Sequence, residues 1–261
     1  MGLEVLVSAV NADPRELAKK MNLRTDAVIV DQCDREGAET FEHHGKTIRC
    51  LYMKSRGVGL SRNAAFDNAT ADICLFGDED IVYESDYGEK ILSAFKNHPE
   101  ADILLFNVKV CDERRTYWND SYGRVQGFAS GRYPAYSIAA RRAVLLHKAL
   151  RFSVYFGGGA KYSNGEDSLF LRDASKAGLR MYKTPEVIGE EIPRPSTWFH
   201  GYNDKFFYDR GVLYKELYGP AMAPVRALRW LTKNRKEMCK DYPYGRAMAQ
   251  MRKGWRDGVK A

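Results

Sequence analysis

No stretch of this chain approaches the roughly 20 consecutive apolar residues that a membrane-crossing helix needs. The longest apolar runs, such as Val5 to Val10 and Ile103 to Phe106, have the length of buried strands. A spanning protein is therefore excluded as a reading, and a soluble or peripheral one is expected. The first residues, Met1-Gly2-Leu3-Glu4-Val5-Leu6-Val7, carry neither a basic start nor an apolar segment of signal-peptide length, so secretion is not expected. Leu6 stands where a myristoylation signal wants Ser or Thr. Cysteine is sparse: Cys33, Cys50, Cys74, Cys111 and Cys239 are odd in number, dispersed and without any CxxC spacing. That pattern excludes a disulfide framework, a zinc finger and a redox pair, and implies a reducing cytosol with three of the thiols filling apolar strands. No internal repeat and no full GxGxxG occurs, so solenoids and the usual dinucleotide fingerprint are also set aside.

What is present is 261 residues with 44% hydrophobic content, enough for one substantial core and a modest appendage. The formal charge of +7 is unevenly placed. Pro224 to Ala261 holds eleven Lys or Arg against three acids, a net +8, which leaves about −1 for everything before it. The basicity therefore belongs to the C-terminal stretch, where it suits either an anionic membrane surface or a nucleic acid.

Short β-branched runs at Leu3 to Val10, Ala27 to Val30, Thr47 to Tyr52, Ile73 to Phe76 and Ile103 to Val110 read as buried strands. Asn11-Ala12-Asp13-Pro14 supplies an N-cap with proline at the first helical position. Further helices are expected over Ser61 to Asn68, near Asp86 to Lys96, over Arg141 to Leu150 and from about Asn164. Strands alternating with crossover helices predict an α/β layered domain with a mostly parallel sheet, whose ligands gather at the carboxyl ends of the strands. Cys111 to Pro134 breaks the pattern and reads as a loop over a site. His43-His44 reads as loop. From Asp204 the chain reads as basic, aromatic helices interrupted at Gly219-Pro220, Pro224 and Pro243, giving a division into residues 1–203 and 204–261.

Two motifs carry chemistry. Asp72-Ile73-Cys74-Leu75-Phe76-Gly77-Asp78-Glu79-Asp80 is an apolar strand ending in three acids. Mutual repulsion there would be relieved by a divalent cation with hard oxygen ligands, Mn²⁺ or Mg²⁺, which could also bridge a diphosphate. A solvated acidic turn is the plainer alternative. Upstream, Arg56-Gly57-Val58-Gly59-Leu60-Ser61-Arg62-Asn63 offers glycines for close backbone approach, Ser61 as a cap, and Arg62 as a bidentate donor at a helix start that could bind an anion.

The text "GLSRNAAFDNATADICLFGDED" resembles the region of family 2 glycosyltransferases where a Gly-Leu-Ser-Arg-Asn helix leads into a DxD strand. "FGGGAKYSNGEDSLFLRDASKAGLRMY", some ninety residues on, is similar to the family's ED motif, and the likeness runs over roughly residues 3 to 190. It implies a GT-A fold of the Rossmann-like nucleotide-diphospho-sugar transferase type, with a helical basic extension. It implies inverting transfer from a nucleotide-diphosphate sugar, of UDP type, to a saccharide or lipid-linked acceptor in bacterial surface-glycan synthesis. Carried over position by position, Asp80 would ligate a divalent metal, with Asp78 and Glu79 beside the donor. Asp167 would be the general base and Glu166 would orient the acceptor. Asp31, or Asp34, would contact the nucleobase, although the family often has two adjacent acids where this chain has Asp31-Gln32-Cys33-Asp34. Arg62 would lie by the nucleotide or sugar. His200 is a further candidate metal ligand, against the commoner reading of a histidine beside aromatics as a packed or surface residue.

The same roles follow from chemistry. An acceptor hydroxyl is a poor nucleophile, so a carboxylate must take its proton as the bond forms, and displacement from the opposite face inverts the anomeric centre. A metal-held diphosphate needs no acid to leave, unlike the leaving oxygen in glycosidases. For Glu166-Asp167 the competing reading is a pair of acids favoured by a helix N-terminus. Tyr117, Trp118 and Tyr122 could stack on sugars or pack a loop. Val225, Leu228, Trp230 and Leu231 interleave with Arg226, Arg229, Lys233, Arg235 and Lys236, which suggests an amphipathic helix lying on the inner face of a membrane, or packed on the domain. The alternatives weighed are a sugar-nucleotide nucleotidyltransferase, whose glycine-rich signature is missing after Val10, and a nucleic-acid binder using the tail's Tyr242, Tyr244 and Trp255. No nucleic-acid motif occurs elsewhere, so none is expected as partner.

Overall fold

The computed structural model describes residues 1–125, 132–193, 199 and 201–259. Strand β1 (Leu3–Val10) is buried along nearly its whole length, as its unbroken apolar run requires of a strand covered on both faces. Asp13 accepts hydrogen bonds from the Arg15 and Glu16 N–H groups and, with Pro14 next to it, starts α1 (Pro14–Lys20). There follow β2 (Asp26–Gln32), β3 (Gly37–His43), β4 (Lys46–Met53), α2 (Val58–Asp67), β5 (Ile73–Asp78), β6 (Ile81–Tyr83), α3 (Tyr87–Asn97) and β7 (Ile103–Lys109). Beyond the loop come β8 (Gly123–Arg124), a 3-10 turn at Ala135–Ser137, β9 (Ile138–Arg141), α4 (Arg142–His147), α5 (Glu166–Lys176) and β10 (Met181–Glu191).

These strands form one mixed sheet in the order β3-β4-β2-β1-β5-β9-β7-β10-β6, with β8 paired to β10. Its centre, β4-β2-β1-β5, is parallel. The chain moves outward from β1 through β2 to β4 and then returns to place β5 on the other side of β1. That reversal opens a crevice at the carboxyl ends of β1, β2 and β5, where a ligand of a doubly wound sheet is held. Asp31, near the end of β2, and Asp78, at the end of β5, stand on this edge. The layered α/β reading is borne out.

Strands β3, β6, β8 and β10 were not anticipated. Residues 37–43 pair antiparallel with β4 as the sheet's edge, so His43 ends a strand and only His44 occupies the tight turn, with φ 51°. Phe41 is the one buried residue of β3, which is why its polar sequence reads as loop. Helix α5 begins at Glu166, two residues later than expected, because Gly165 takes φ 108° and turns the chain into it. A side chain there would also put Cβ 2.4 Å from a Leu213 methyl.

Residues 204–259 pack as helices α6 (Asp204–Lys233), α7 (Arg235–Met238) and α8 (Tyr244–Asp257) with short connections. Gly219, at φ 73° and ψ 169°, kinks α6 ahead of Pro220, while Pro224 lies inside the helix and does not end it. Helices α6 and α8 meet through bare backbone: a Cβ on Gly211 would lie 2.2 Å from Met251 O, and one on Gly254 would lie 2.1 Å from Tyr208 O. Their shared core includes Phe207, Val212, Ala247 and Met251 and runs on into Phe156, Tyr162 and Leu169 around the start of α5. Buried Asp209 accepts from both the Ser163 N–H and hydroxyl, at 3.0 and 2.7 Å, and so ties α6 to the turn that presents Glu166 and Asp167.

Candidate active site

Helix α2 is the hub of the crevice, and each residue of its Ser-Arg-Asn text has a separate partner. Ser61 is fully buried and donates to Ser8 of β1 at 2.8 Å. It therefore does not cap the helix: α2 starts at Val58, and Gly57 precedes it with no side-chain cap. Arg62, 3% exposed, sends one nitrogen to Asp78 at 2.7 Å and the other to Glu166 at 2.8 Å. Asn63 exchanges two hydrogen bonds with the Phe152 backbone, each 2.9 Å. The Val58 N–H also donates to Gly158 O at 2.9 Å, which pins the glycine-rich turn against the start of α2.

Packing explains why β5 and α5 come within one arginine's reach. Phe76 lies two residues before Asp78 and so on the same face of β5, and Phe170 lies one helical turn after Glu166. Phe152 stacks on Phe170 at 4.2 Å and meets Phe76 edge-on at 4.9 Å. Such pairs contribute about 0.5–1.5 kcal/mol each beyond the area they bury. The aromatic trio thereby fastens the strand that ends in acids to the helix that begins with them.

The consequence is electrostatic. Asp167, held by the Ser168 N–H at 2.6 Å, lines the walls of two cavities, of about 450 and 280 Å³. Protein atoms crowd round its carboxyl, and burial first, then the neighbouring Glu166 charge, push its pKa up to about 7. Arg62 opposes that rise, and Asp78 adds to it. Burial disfavours the Arg62 charge as well, but Asp78 and Glu166 outweigh it and keep the guanidinium protonated. A carboxyl poised near neutrality beside a cavity is suited to taking a proton from a hydroxyl.

The residues named from sequence fall into place unevenly. Asp78, Glu166 and Asp167 converge through Arg62. Both terminal nitrogens of Arg62 are held by carboxylates in this structure, so it braces the two acid motifs, while its buried Nε has no hydrogen-bond partner. Glu79 turns back to accept the Val10 N–H at 3.0 Å, closing the end of β1. Asp80 is buried beside the end of β10, and its backbone oxygen accepts from Ile192 at 2.8 Å. Asp31, 2% exposed, accepts the Ala12 N–H at 2.9 Å and shapes the turn at the crevice floor. Asp34 is exposed and pairs with Arg56 at 3.1 Å. His200 and Trp198 lie outside the described residues.

Two of the aromatics weighed as sugar platforms are packing residues. Tyr117 is buried and donates to Phe106 O at 2.8 Å, and Tyr122 is stacked between His98 and Tyr182. Trp118 is partly exposed. Part of the loop expected over a site borders a cavity: Arg114, Thr116, Arg132 and Pro134 line the smaller one together with Tyr136, Asp167 and Glu191. Arg114 pairs with Glu191 at 2.7 Å. Burial first, then Tyr117 and the nearby Glu191 and Asp78, raise the Tyr136 pKa and keep its hydroxyl protonated. Neither Tyr136, Glu191 nor the α6 residues Lys205 and Arg210 at the larger cavity were singled out from sequence. Only their positions in three dimensions mark them.

Hard carboxylate oxygens at Asp78 and Asp80 suit Mg²⁺ or Mn²⁺ in type. Among the described residues no three His, Cys, Asp or Glu side chains gather into a cage for a metal. From Asp78 and Asp80 alone an ion would have an open site, with room for phosphate oxygens as further ligands, an arrangement that suits Mg²⁺ in phosphate-handling sites.

Comparison with solved structures agrees with this architecture. The Staphylococcus aureus TarS 1–349 structure in complex with UDP-GlcNAc aligns with TM-score 0.60 at 16% identity, over 92% of this chain and 74% of that one. A longer TarS structure is covered over 43% of its length, with TM-score 0.57. The mannosyltransferase PcManGT from Pyrobaculum calidifontis, in complex with GDP-Man and Mn²⁺, aligns with TM-score 0.54 at 14% identity, over 98% of this chain and 88% of that one. No match is found among curated proteins. At such identities these likenesses speak for the fold, which is that of the GT-A glycosyltransferases. The family model for glycosyl transferase family 2 matches residues 6–187, from β1 through both acid motifs into β10, and the chain belongs to that family.

Proposed function

We propose that this protein transfers a sugar, with inversion, from a nucleotide-diphosphate sugar of UDP type to a hydroxyl of a saccharide or lipid-linked acceptor in cell-surface polysaccharide synthesis. The observation that carries this reading is the Arg62 bridge, which brings the acid end of β5 and the acid start of α5 to one cleft. On this reading the donor lies along the carboxyl ends of β1, β2 and β5, over Asp31 and the Asp78-Glu79-Asp80 turn. Asp80, with Asp78, would hold a divalent ion, which supplies charge neutralisation for the departing diphosphate when bound. Asp167 removes the acceptor proton as the new bond forms, and Glu166, fixed by Arg62, keeps the adjacent wall of the site in place. One structural neighbour in complex with UDP-GlcNAc and another in complex with GDP-Man and Mn²⁺ support a nucleotide-sugar donor and a divalent ion.

Asp167→Asn tests the base. It should retain UDP-sugar binding by calorimetry while transfer falls by about 10²–10⁴, the usual worth of a positioned base. Turnover at the wild-type rate would remove Asp167 from that role.

The tail supports an acceptor presented at an anionic membrane surface. No helix among the described residues is long and apolar enough to cross a membrane. The apolar face expected from sequence is in fact divided: Leu231 is buried and Trp230 half-buried, while Met222, Val225 and Leu228 stand exposed at spacings of three, with exposed Arg229 and Lys233 beside them. That face pairs apolar tips with a basic border, as interfacial helices do. The nucleic-acid alternative is weakened by internal use of the tail's arginines. Arg226 lies over Tyr218, Arg235 over Tyr244, and Arg246 pairs with Asp204 at 2.7 Å.

A further inference from the structure

Arg210 lines the larger cavity together with Glu166 and Asp167, yet the site as read so far gives it no task. It lies on α6 one turn beyond Phe206, with its guanidinium 5.6 Å from the Phe206 ring centre and 4.8 Å from that of Trp230. Its Nε is sealed from solvent and has no hydrogen-bond partner. Among the described residues no carboxylate pairs with it, in contrast to Arg62, which holds two. The other cation of this wall, Lys205, is already engaged by Asp209 at 2.6 Å and by Lys161 O at 2.7 Å. Burial lowers the Arg210 pKa, and the opposing influence of Tyr214 and Asp167 does not cancel that effect.

A guanidinium held in a protein wall without a paired anion gives up several kcal/mol of hydration, and two aromatic faces return only about 1–2. Such an arrangement is retained where a ligand completes it. The planar fork of arginine matches phosphate and carboxylate oxygens two at a time, which neutral sugar hydroxyls cannot do. The rest of the wall suits a sugar or polyol that carries such a group. Phe206 supplies an apolar side, while Ser163, Asn164 and Asn203 supply polar atoms. Because Glu166 and Asp167 share the cavity, an anion could enter it only next to a compensating cation, and Arg210 is placed to be that cation.

Building on the transferase reading, we propose that Arg210 forms an acceptor subsite for an anionic group, phosphate or carboxylate, next to Asp167. The acceptor is then an acidic glycan or a polyol phosphate, and its charge is read within the same cavity as the base. Arg210 is a binding residue here and takes no part in proton transfer.

The test uses the full chain at low salt with UDP saturating the donor side, and compares glycerol 3-phosphate, glucuronate, glycerol and methyl glucoside by calorimetry. Expected is at least tenfold tighter binding of one charged ligand than of its neutral counterpart, abolished in Arg210→Gln and partly restored in Arg210→Lys. Whether the phosphate or the carboxylate binds tighter identifies which kind of acceptor the subsite serves. Equal binding of charged and neutral ligands by the wild-type protein overturns the subsite, and that result needs no variant to fold. A tenfold loss of UDP affinity in Arg210→Gln would instead assign Arg210 to the donor diphosphate and overturn the acceptor assignment. Failure of UDP to bind the wild-type protein counts against the transferase reading alone, since the preference among the four ligands still decides the subsite.

Discussion

Replacing Arg62 by methionine keeps an apolar stem in place of the arginine's and removes the cation that Asp78 and Glu166 share. Breaking a buried ion pair from one side costs about 3–5 kcal/mol, because the remaining charge is left without compensation. Here Arg62 is almost fully enclosed, while the Asp78 and Glu166 side chains keep 28% and 12% exposure, so water relieves part of the loss. The lower end, about 3 kcal/mol, is therefore expected, and for a chain of this size it lowers Tm by roughly 6–12 °C. The second effect concerns proton affinity. Arg62 is among the charges holding the Asp167 pKa down, so without it that pKa climbs above about 7. Since the ionised form acts as base, the acid limb of the kcat/KM profile should move to higher pH, with activity at pH 7 lost and partly recovered near pH 9. Thermal melts and a pH–rate series on Arg62→Met measure both. A melting temperature within about 2 °C of wild type, together with an unmoved acid limb, would refute the bracing role.

Other outcomes follow from the same geometry. A carboxyl whose folded pKa is raised binds more protons in the folded than in the unfolded state. Asp167 therefore subtracts stability progressively as pH rises from about 4 to about 7. Asp167→Asn should accordingly melt higher than wild type at pH 8 and equally at pH 4, and a lower melt at pH 8 would contradict the burial argument. Asp80→Ala should abolish any difference in UDP affinity with and without Mn²⁺ in calorimetry, and a persisting metal effect would place the ion elsewhere. Val225→Asp with Leu228→Asp, both on exposed positions, should release the protein from phosphatidylserine vesicles in a flotation assay without changing Tm, and undiminished binding would dismiss that face as the membrane contact.

Much of this protein could be read from its residues alone, wherever local pattern decides local structure. The unbroken apolar run of β1, the Asp13-Pro14 helix start and the strand ending in Asp78-Glu79-Asp80 all appear as expected, because burial on both faces and helix capping leave a signature within a few neighbouring residues. The edge strand β3 escaped because only Phe41 on it is buried, so the signal of burial is nearly absent. Tyr117 and Tyr122 show the same limit: the text tells that a ring is present but not whether core or cavity lies beside it. Tertiary structure decided what the charges do. Arg62 meets Glu166 across 104 positions of chain, Asp167 is raised by crowding from several elements, and Arg210 reaches the cavity from a helix beyond the family's matched region. Proton affinity and ion pairing depend on distance and solvent exclusion in space, and a sequence records neither until the chain has closed on itself.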